Sequence, residues 1–423
     1  MSQVLLENGP ESRRQEDKPA PWLSLVGLGE DGPSGLCAEA LAALKEAEIV
    51  FGGERHVALV RPMPAEQLPG DLRPWPQPFR NALPQIMAER GRKVCVLATS
   101  DPFHYGIGNS LSRAIPAEEM RIIPQISSFS MAATRMRWPQ EECALVSLHG
   151  RTLFRIVPHL QPEARILALS WDETTPRAVA ELLTARGLGA SRIVVMEALG
   201  GPHERVREAR ANAFALDDVV PLNLIAVEVA ADRDSRILPV APGLDEEWFA
   251  HDGQITKSEI RAITISALAP RVGELLWDVG AGSGSVSLEW CLRHPRNRAV
   301  AFESRADRVE RIARNTLELG GLSVEVAGAA PAGFAGRAAP DAVFIGGGLT
   351  VEGVFERAWA ALKPGGRLVA NVVTIEGEAK LAALHAEHGG SLRRISIDRL
   401  APVGGKHGWR PAMPVTQWRV EKP

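Results

Sequence analysis

The sequence predicts an α/β protein made of two domains in series. Three observations carry that expectation. A length of 423 residues suggests two or three domains at ~100–200 residues each. In both halves, apolar runs bounded by turns alternate with segments of helical periodicity. Between the halves, Ala231–Trp248 (ADRDSRILPVAPGLDEEW) is charged and then rich in Pro and Gly, as a seam between domains should be. These place a polar tail over 1–20, a first domain over 21–232, a linker over 233–244 and a second domain over 245–423.

Strand-like runs in the second half are Glu274–Val279, Ala299–Glu303, Val324–Val326, Asp341–Ile345, Arg367–Val373, Leu392–Arg399 and Pro414–Val420. Helical periodicity fills the gaps over Val286–Leu292, Ala306–Leu319, Val351–Leu362 and Glu376–His385. Short loops between them predict a parallel, doubly wound sheet covered on both faces. No long helix separates the last two strands, so the final strand should run antiparallel. In the first half, strands are expected at Leu23–Val26, Ile49–Phe51, Lys93–Ala98, Ala144–Leu148, Ile166–Leu169, Arg192–Glu197 and, closing the domain, Leu222–Ala230. Helices fit Ala38–Ala47, Asn109–Ile115, Ser128–Arg137 and Pro176–Arg186. The stretch Met63–Phe79 holds five prolines and should be irregular.

Composition excludes several classes. There are 48 Lys and Arg against 51 Asp and Glu, a formal charge of −3, so the basic excess of a nucleic-acid binder is missing. One Tyr and 5% aromatics argue against a base-stacking RNA platform. No run of ~18 apolar residues suggests a membrane span. The first 20 residues carry Arg13, Arg14 and Lys18 without an apolar stretch, so no signal peptide is expected. Cys37, Cys95, Cys143 and Cys291 form no CxxC pair, as in a cytoplasmic protein with reduced thiols. His385 and His388 do not make an HExxH pattern and read as solvated helix residues; no metal is expected.

The strongest motif is Leu276-Trp-Asp-Val-Gly-Ala-Gly-Ser-Gly-Ser285, at a strand-to-helix turn. Gly280, Gly282 and Gly284 permit a sharp turn and a close backbone approach to a ligand, and ligands in open α/β sheets bind at the carboxyl ends of strands. The dinucleotide fingerprint is GxGxxG, but this loop is GxGxG with Ser285 at the last glycine position. Asp278 precedes it, and Glu303 ends the next strand 19 positions after Gly284, where a carboxylate can take a ribose diol. The GxGxG form with a flanking acid resembles the S-adenosylmethionine loop of class I methyltransferases, so methyl transfer is the first reading and NAD-dependent hydride transfer the second. A non-catalytic cofactor-sensing or RNA-binding module is a third.

These residues carry a family resemblance. Asp252–Glu259 (DGQITKSE), 276–289 (LWDVGAGSGSVSLE), 341–348 (DAVFIGGG), 362–374 (LKPGGRLVANVVT) and 402–405 (PVGG) resemble the decarboxylating domain of the cobalamin-pathway precorrin methyltransferases. That domain is a class I, Rossmann-like, seven-stranded methyltransferase. The first half resembles the tetrapyrrole methyltransferase (class III) domain through VGLG (26–29), SDPFHYGIG (100–108), SSFSMAATR (127–135), SLHGR (147–151) and MEALGGPHER (196–205). Where that family has Gly-Asp-Pro, this chain has Ser100-Asp101-Pro102.

The resemblance implies two methylations of a tetrapyrrole and loss of carbon dioxide from an acetate side chain. It implies one S-adenosylmethionine per domain and no metal. The macrocycle itself offers nucleophilic carbons and an electron sink, so positioning and proton supply are the main tasks. Cofactor residues are then expected at Thr256, Gly280, Ala281, Gly282, Ser283, Gly284, Glu303, Ala329 and Ala330 in the second half, and at Asp101, Gly106, Ser127 and Ser128 in the first. Lys257 and His407 are candidate proton donors. Arg261, Lys406, Arg410, His149, Arg151 and His104 are candidate partners for the substrate's carboxylates. Thr256 with Glu259 also reads as a capping box. The expected partner is the small-molecule tetrapyrrole, with no nucleic acid and no membrane, and the chain is expected to form a homo-oligomer. The alternative on the same residues is another methyltransferase acting on a polycarboxylate.

Overall fold

The computed structural model describes residues 21–68 and 70–423; the expected tail over 1–20 lies outside them. The chain divides into two compact units. One gathers the residues through His149 with Arg165–Ala180 and Arg192–Glu228. The other gathers Gly150–Ala164, Glu181–Ser191 and Val229–Pro423.

The first unit holds two five-stranded sheets. Strands β1 (Leu23–Leu28), β2 (Ile49–Gly52), β3 (Asp71–Pro74), β4 (Val94–Thr99) and β5 (Met120–Ile123) lie in the order β3-β2-β4-β1-β5, all parallel. The central strands are near-continuous apolar runs because helices and loops cover both faces. Strands β6 (Cys143–Ser147), β7 (Arg165–Leu169), β8 (Arg192–Glu197), β9 (Arg205–Arg210) and β10 (Asn223–Glu228) lie in the order β6-β7-β10-β8-β9. In this sheet only β6 and β7 pair in parallel.

Three first-half strands escape the sequence pattern. The Pro-rich stretch is not wholly irregular: Asp71–Pro74 is a short edge strand beside β2, where a proline costs no ladder bond. Arg205–Arg210 reads as charged, yet it is an edge strand whose Arg205 and Arg207 both reach the fully buried Glu197 carboxylate. Met120–Ile123 is too short to stand out.

The second unit is built on a seven-stranded sheet. Strands β11 (Leu275–Val279), β12 (Arg298–Phe302), β13 (Val324–Ala327), β14 (Ala342–Ile345), β15 (Arg367–Val372), β16 (Ser391–Ile395) and β19 (Val415–Glu421) run in the order β13-β12-β11-β14-β15-β19-β16. The first five are parallel and β19 is antiparallel to both its neighbours, as the sequence predicts. Trp277 stacks on Phe334 at 4.9 Å between centroids, and Phe302 meets both rings edge-on within one core.

Three second-half expectations are corrected. Leu392–Arg399 is not one strand. The sheet strand stops at Ile395, and β17 (Asp398–Val403) pairs with β18 (Lys406–Pro411) as a separate hairpin, turned by Gly404-Gly405. Thr256 is not a helix cap: the helix begins at Ser258, whose amide donates to Glu246 Oε1 at 2.8 Å, and Glu259 turns instead to Arg399. His388 is not solvated, because its ring packs against Phe355, Trp359 and Trp418.

Candidate functional site

At the carboxyl ends of β11, β12, β14 and β15 the second unit opens a cavity of about 930 Å³. The glycine loop forms one wall, and its three glycines serve different ends. All take positive φ, +73° at Gly280, +59° at Gly282 and +76° at Gly284. A Cβ on Gly280 would meet the Gly347 backbone at 2.8 Å, and one on Gly284 would press on Ile312 at 3.1 Å. Only at Gly282 is the nearest atom distant, the Gln254 carbonyl at 3.7 Å. Gly280 and Gly284 therefore serve packing, and Gly282 leaves room for a ligand.

Glu303 follows β12 and is 7% exposed. Its Oε2 accepts the Gly282 amide at 2.9 Å, and Oε1 accepts the amides of Ser304 and Arg305. The carboxylate thus ties the loop to the next strand, and Oε2, with a single donor, keeps a lone pair for a hydroxyl at the cavity. Behind the loop, Asp278 is buried, and its Oδ2 accepts from the Ser287 amide and hydroxyl at 3.0 and 2.7 Å. Its Oδ1 has no partner. Burial pushes this carboxyl up to about 6, against the lowering from those bonds and with a small addition from Glu303.

Nine expected residues line the cavity: Thr256, Lys257, Gly280, Ala281, Gly282, Ser283, Glu303, Ala329 and Ala330. Gly284 does not. Lys406, His407 and Arg410 are exposed on the hairpin and do not line it either. Arg261 is a correction. It is fully buried, its Nε donates to Glu289 Oε1 at 2.5 Å, and its other nitrogens donate to the carbonyls of Thr256 and Leu244. Glu289 also accepts the amides of Gly243 and Leu244. Arg261 therefore clamps the segment before its helix, and its burial keeps it from a substrate. Sequence reasoning missed Arg308, Asn371 and Arg399, which also line the cavity. Arg308 is held by Asp252, whose carboxyl it lowers to about 2.

The first unit has a smaller cavity, about 270 Å³, lined by Gly27, Gly29, Asp31, Gln125, Met131 and Gly200 among others. It lies beyond the carboxyl ends of β1 and β5. None of Asp101, Gly106, Ser127 and Ser128 lines it. Asp101 accepts the Phe103 amide at 2.8 Å, and Gly106 folds against the Pro102 carbonyl. Ser127 caps the helix Ser128–Met136 through Ser130. His104 packs on Phe129 at 4.6 Å and His149 faces Trp171 at 6.4 Å, while Arg151 is exposed. Among the described residues, no group of three or more His, Cys, Asp or Glu could hold a metal, and no helix is long and apolar enough to cross a membrane.

Comparison with known proteins matches both halves. Residues 23–215 fit the family of tetrapyrrole (corrin/porphyrin) methylases, and residues 247–422 fit the precorrin methyltransferase domain. A Sinorhizobium protein named precorrin-6Y C(5,15)-methyltransferase [decarboxylating] is 51% identical over 405 residues, covering 95% of this chain and 97% of that one. The chain belongs to the precorrin-6Y C5,15-methyltransferase (decarboxylating) family. Two Salmonella typhimurium relatives are shorter. The cobalt-precorrin-7 C(5)-methyltransferase is 30% identical over 46% of this chain and 94% of its own length. The cobalt-precorrin-6B C(15)-methyltransferase (decarboxylating) is 32% identical over 38% of this chain and 85% of its own. This membership makes the chain a methyltransferase, and it leaves the NAD-dependent alternative without support.

Proposed function

We propose that the chain methylates precorrin-6B at C5 and C15 and removes the carboxyl of the C12 acetate, giving precorrin-8X in cobalamin biosynthesis. The second domain, 245–423, carries C15 methylation and decarboxylation, and the first, 21–232, carries C5 methylation, with 233–244 as linker. The observation that carries this reading is the second-unit cavity, which gathers the glycine loop, Glu303, Ala329, Ala330 and Lys257. The separate C5 and C15 activities named for the two shorter relatives support the division.

The residues present fit S-adenosylmethionine. Glu303 keeps acceptor capacity for a ribose diol, Gly282 leaves space at the loop, and Ala329 and Ala330 are small walls. When bound, that cofactor supplies an electrophilic methyl group. The protein's part is to hold the acceptor carbon in line, which can contribute several kcal/mol to the barrier. Lys257, which lines the cavity beside the helix start, is the proposed proton donor. Lys406, His407 and Arg410 reach the substrate only if the macrocycle extends beyond the cavity to the hairpin. From the first-half motifs, Asp101, Gly106, Ser127, Ser128, His104, His149 and Arg151 remain the proposed ligand residues.

One cofactor per domain, no metal and a cytoplasmic location complete the reading. A homo-oligomer is supported by the hairpin's cross-strand pair Leu400 and Trp409, 60% and 72% exposed, an apolar face of the kind that marks interfaces. Incubation with precorrin-6B and S-adenosylmethionine should yield a product with two added methyls and one carbon dioxide lost. Calorimetry should count two cofactors per chain. A product that keeps its carboxyl, or gains no methyl, would overturn the proposal.

A further inference from the structure

Between the helix Ser258–Leu268 and the strands β15 and β19 lies a small polar cluster of Thr264, Asn371 and Gln417. Thr264 is 0% exposed and Gln417 1%. The Thr264 hydroxyl donates to the Ile260 carbonyl at 2.8 Å, so toward its other neighbours it can only accept. Asn371 Nδ2 donates to it at 2.8 Å, and Gln417 Nε2 donates to Asn371 Oδ1 at 3.0 Å. This fixes which way the Asn371 carboxamide faces. Gln417 Oε1 has no partner, a cost that a sheet would shed by placing an apolar pair at these facing positions. The two strands do face each other here, Asn371 opposite Gln417.

Asn371 is the member of the cluster that borders the cavity. Its second N–H and one oxygen lone pair are uncommitted. The cavity lining also includes the apolar residues Ile260, Phe344, Val372 and Val373. Of the three lining cations, Arg308 is engaged with Asp252 and Arg399 with Glu259, and Lys257 is the proton donor proposed above.

Resting on the decarboxylating role proposed above, we infer that Asn371 receives the acetate carboxylate that the second unit removes. A neutral amide suits this task. It orients the carboxylate through one N–H without the strong ground-state stabilisation that a cation would give, and only interactions that favour the transition state speed the step. In that step the bond between the carboxyl carbon and the methylene breaks, and carbon dioxide leaves. The electron pair passes into the conjugated macrocycle, and the methylene carbon takes a proton from Lys257, which water then reprotonates, to become a methyl. Thr264 and Gln417 are positioning residues that hold the amide.

The test uses the full chain with precorrin-6B and S-adenosylmethionine, reading decarboxylation and methylation separately by product mass. Cofactor affinity, followed by calorimetry, serves as the check on folding. Asn371→Ala should bind cofactor normally, with decarboxylation reduced about ten- to a hundred-fold relative to methylation, the cost of a misplaced reacting group. Gln417→Leu should reduce it less. If Asn371→Ala fails to fold, the isosteric Asn371→Asp decides, since a second carboxylate would repel the substrate's and must also suppress decarboxylation selectively. An unchanged ratio in the folded variant, or equal loss of both activities, would overturn the inference and leave Asn371 as a register pair for β15 and β19. A wild-type chain that neither methylates nor decarboxylates would instead overturn the function proposed above, and this inference with it.

Discussion

In the second unit, the loop after β11, the carboxylate after β12 and the alanines after β13 converge on one cavity of about 930 Å³. In the first unit, the cavity of about 270 Å³ is bordered by backbone after β1 and β5, while Asp101 and Ser127 spend their side chains on their own loops. The difference is one of topology. Neighbouring parallel strands deliver consecutive motifs to one edge, so a residue's place in the second unit follows from the strand it ends. The first unit spreads its motifs over two sheets, one of them mostly antiparallel, and a motif there says less about where its side chain goes.

The largest expected effect tests whether a basic residue near the cavity serves fold or ligand. Arg261→Ala should cost about 3–5 kcal/mol, since it leaves Glu289 buried and unpaired. Urea unfolding measures it. A stable variant with only a raised KM for the tetrapyrrole would return Arg261 to the substrate.

Next comes the acid behind the glycine loop. The Asp278 carboxyl sits at about 6 in the fold against an ordinary value near 3.9. Native protein therefore binds the extra proton between about pH 4 and 6. Stability from this group is present below that window and falls as pH rises through it, by up to about 3 kcal/mol. Asp278→Asn should flatten that part of the pH profile. An unaltered slope would mean that Asp278 is ionised in the fold across the whole range.

Smaller again is Glu303→Gln, which tests the cofactor assignment of the better-defined site. It should weaken one of the two expected binding events by one to two decades, as about 1.5–3 kcal/mol implies, and leave the other intact. Two unchanged isotherms would make Glu303 only the tie between Gly282 and the loop after β12.

Much of this was legible in the chain. Hydrophobic runs and short loops predict the seven-stranded sheet and its antiparallel last strand, and GxGxG with Glu303 marks the cavity. What was illegible has physical causes. Arg205–Arg210 carries charge on a strand because a buried Glu197 receives it. Arg261 looks like an anion ligand until its buried partner, 28 positions away in sequence, is seen. Asn371 stands in the quoted run LKPGGRLVANVVT, but only the pairing of β15 with β19 brings Gln417 to it.

The smallest prediction bears on the first unit. Ser100 takes φ +51°, a conformation that costs a non-glycine residue about 1–2 kcal/mol, at the position where the resembling family carries glycine. Its amide donates to Leu28 and its carbonyl accepts from Gln125, so the backbone is held whatever the side chain. Ser100→Gly should relieve the strain but also free the unfolded chain, which takes back about 0.4–1 kcal/mol. The net gain is then between zero and about 1.6 kcal/mol, seen as a rise in Tm, with first-unit cofactor affinity unchanged or improved. Ser100→Val should do the reverse, because a branched side chain tolerates this region worst. A Ser100→Gly variant that loses affinity would show that the Ser100 hydroxyl, rather than the loop's shape, serves the ligand, and the contrast between the two units would narrow.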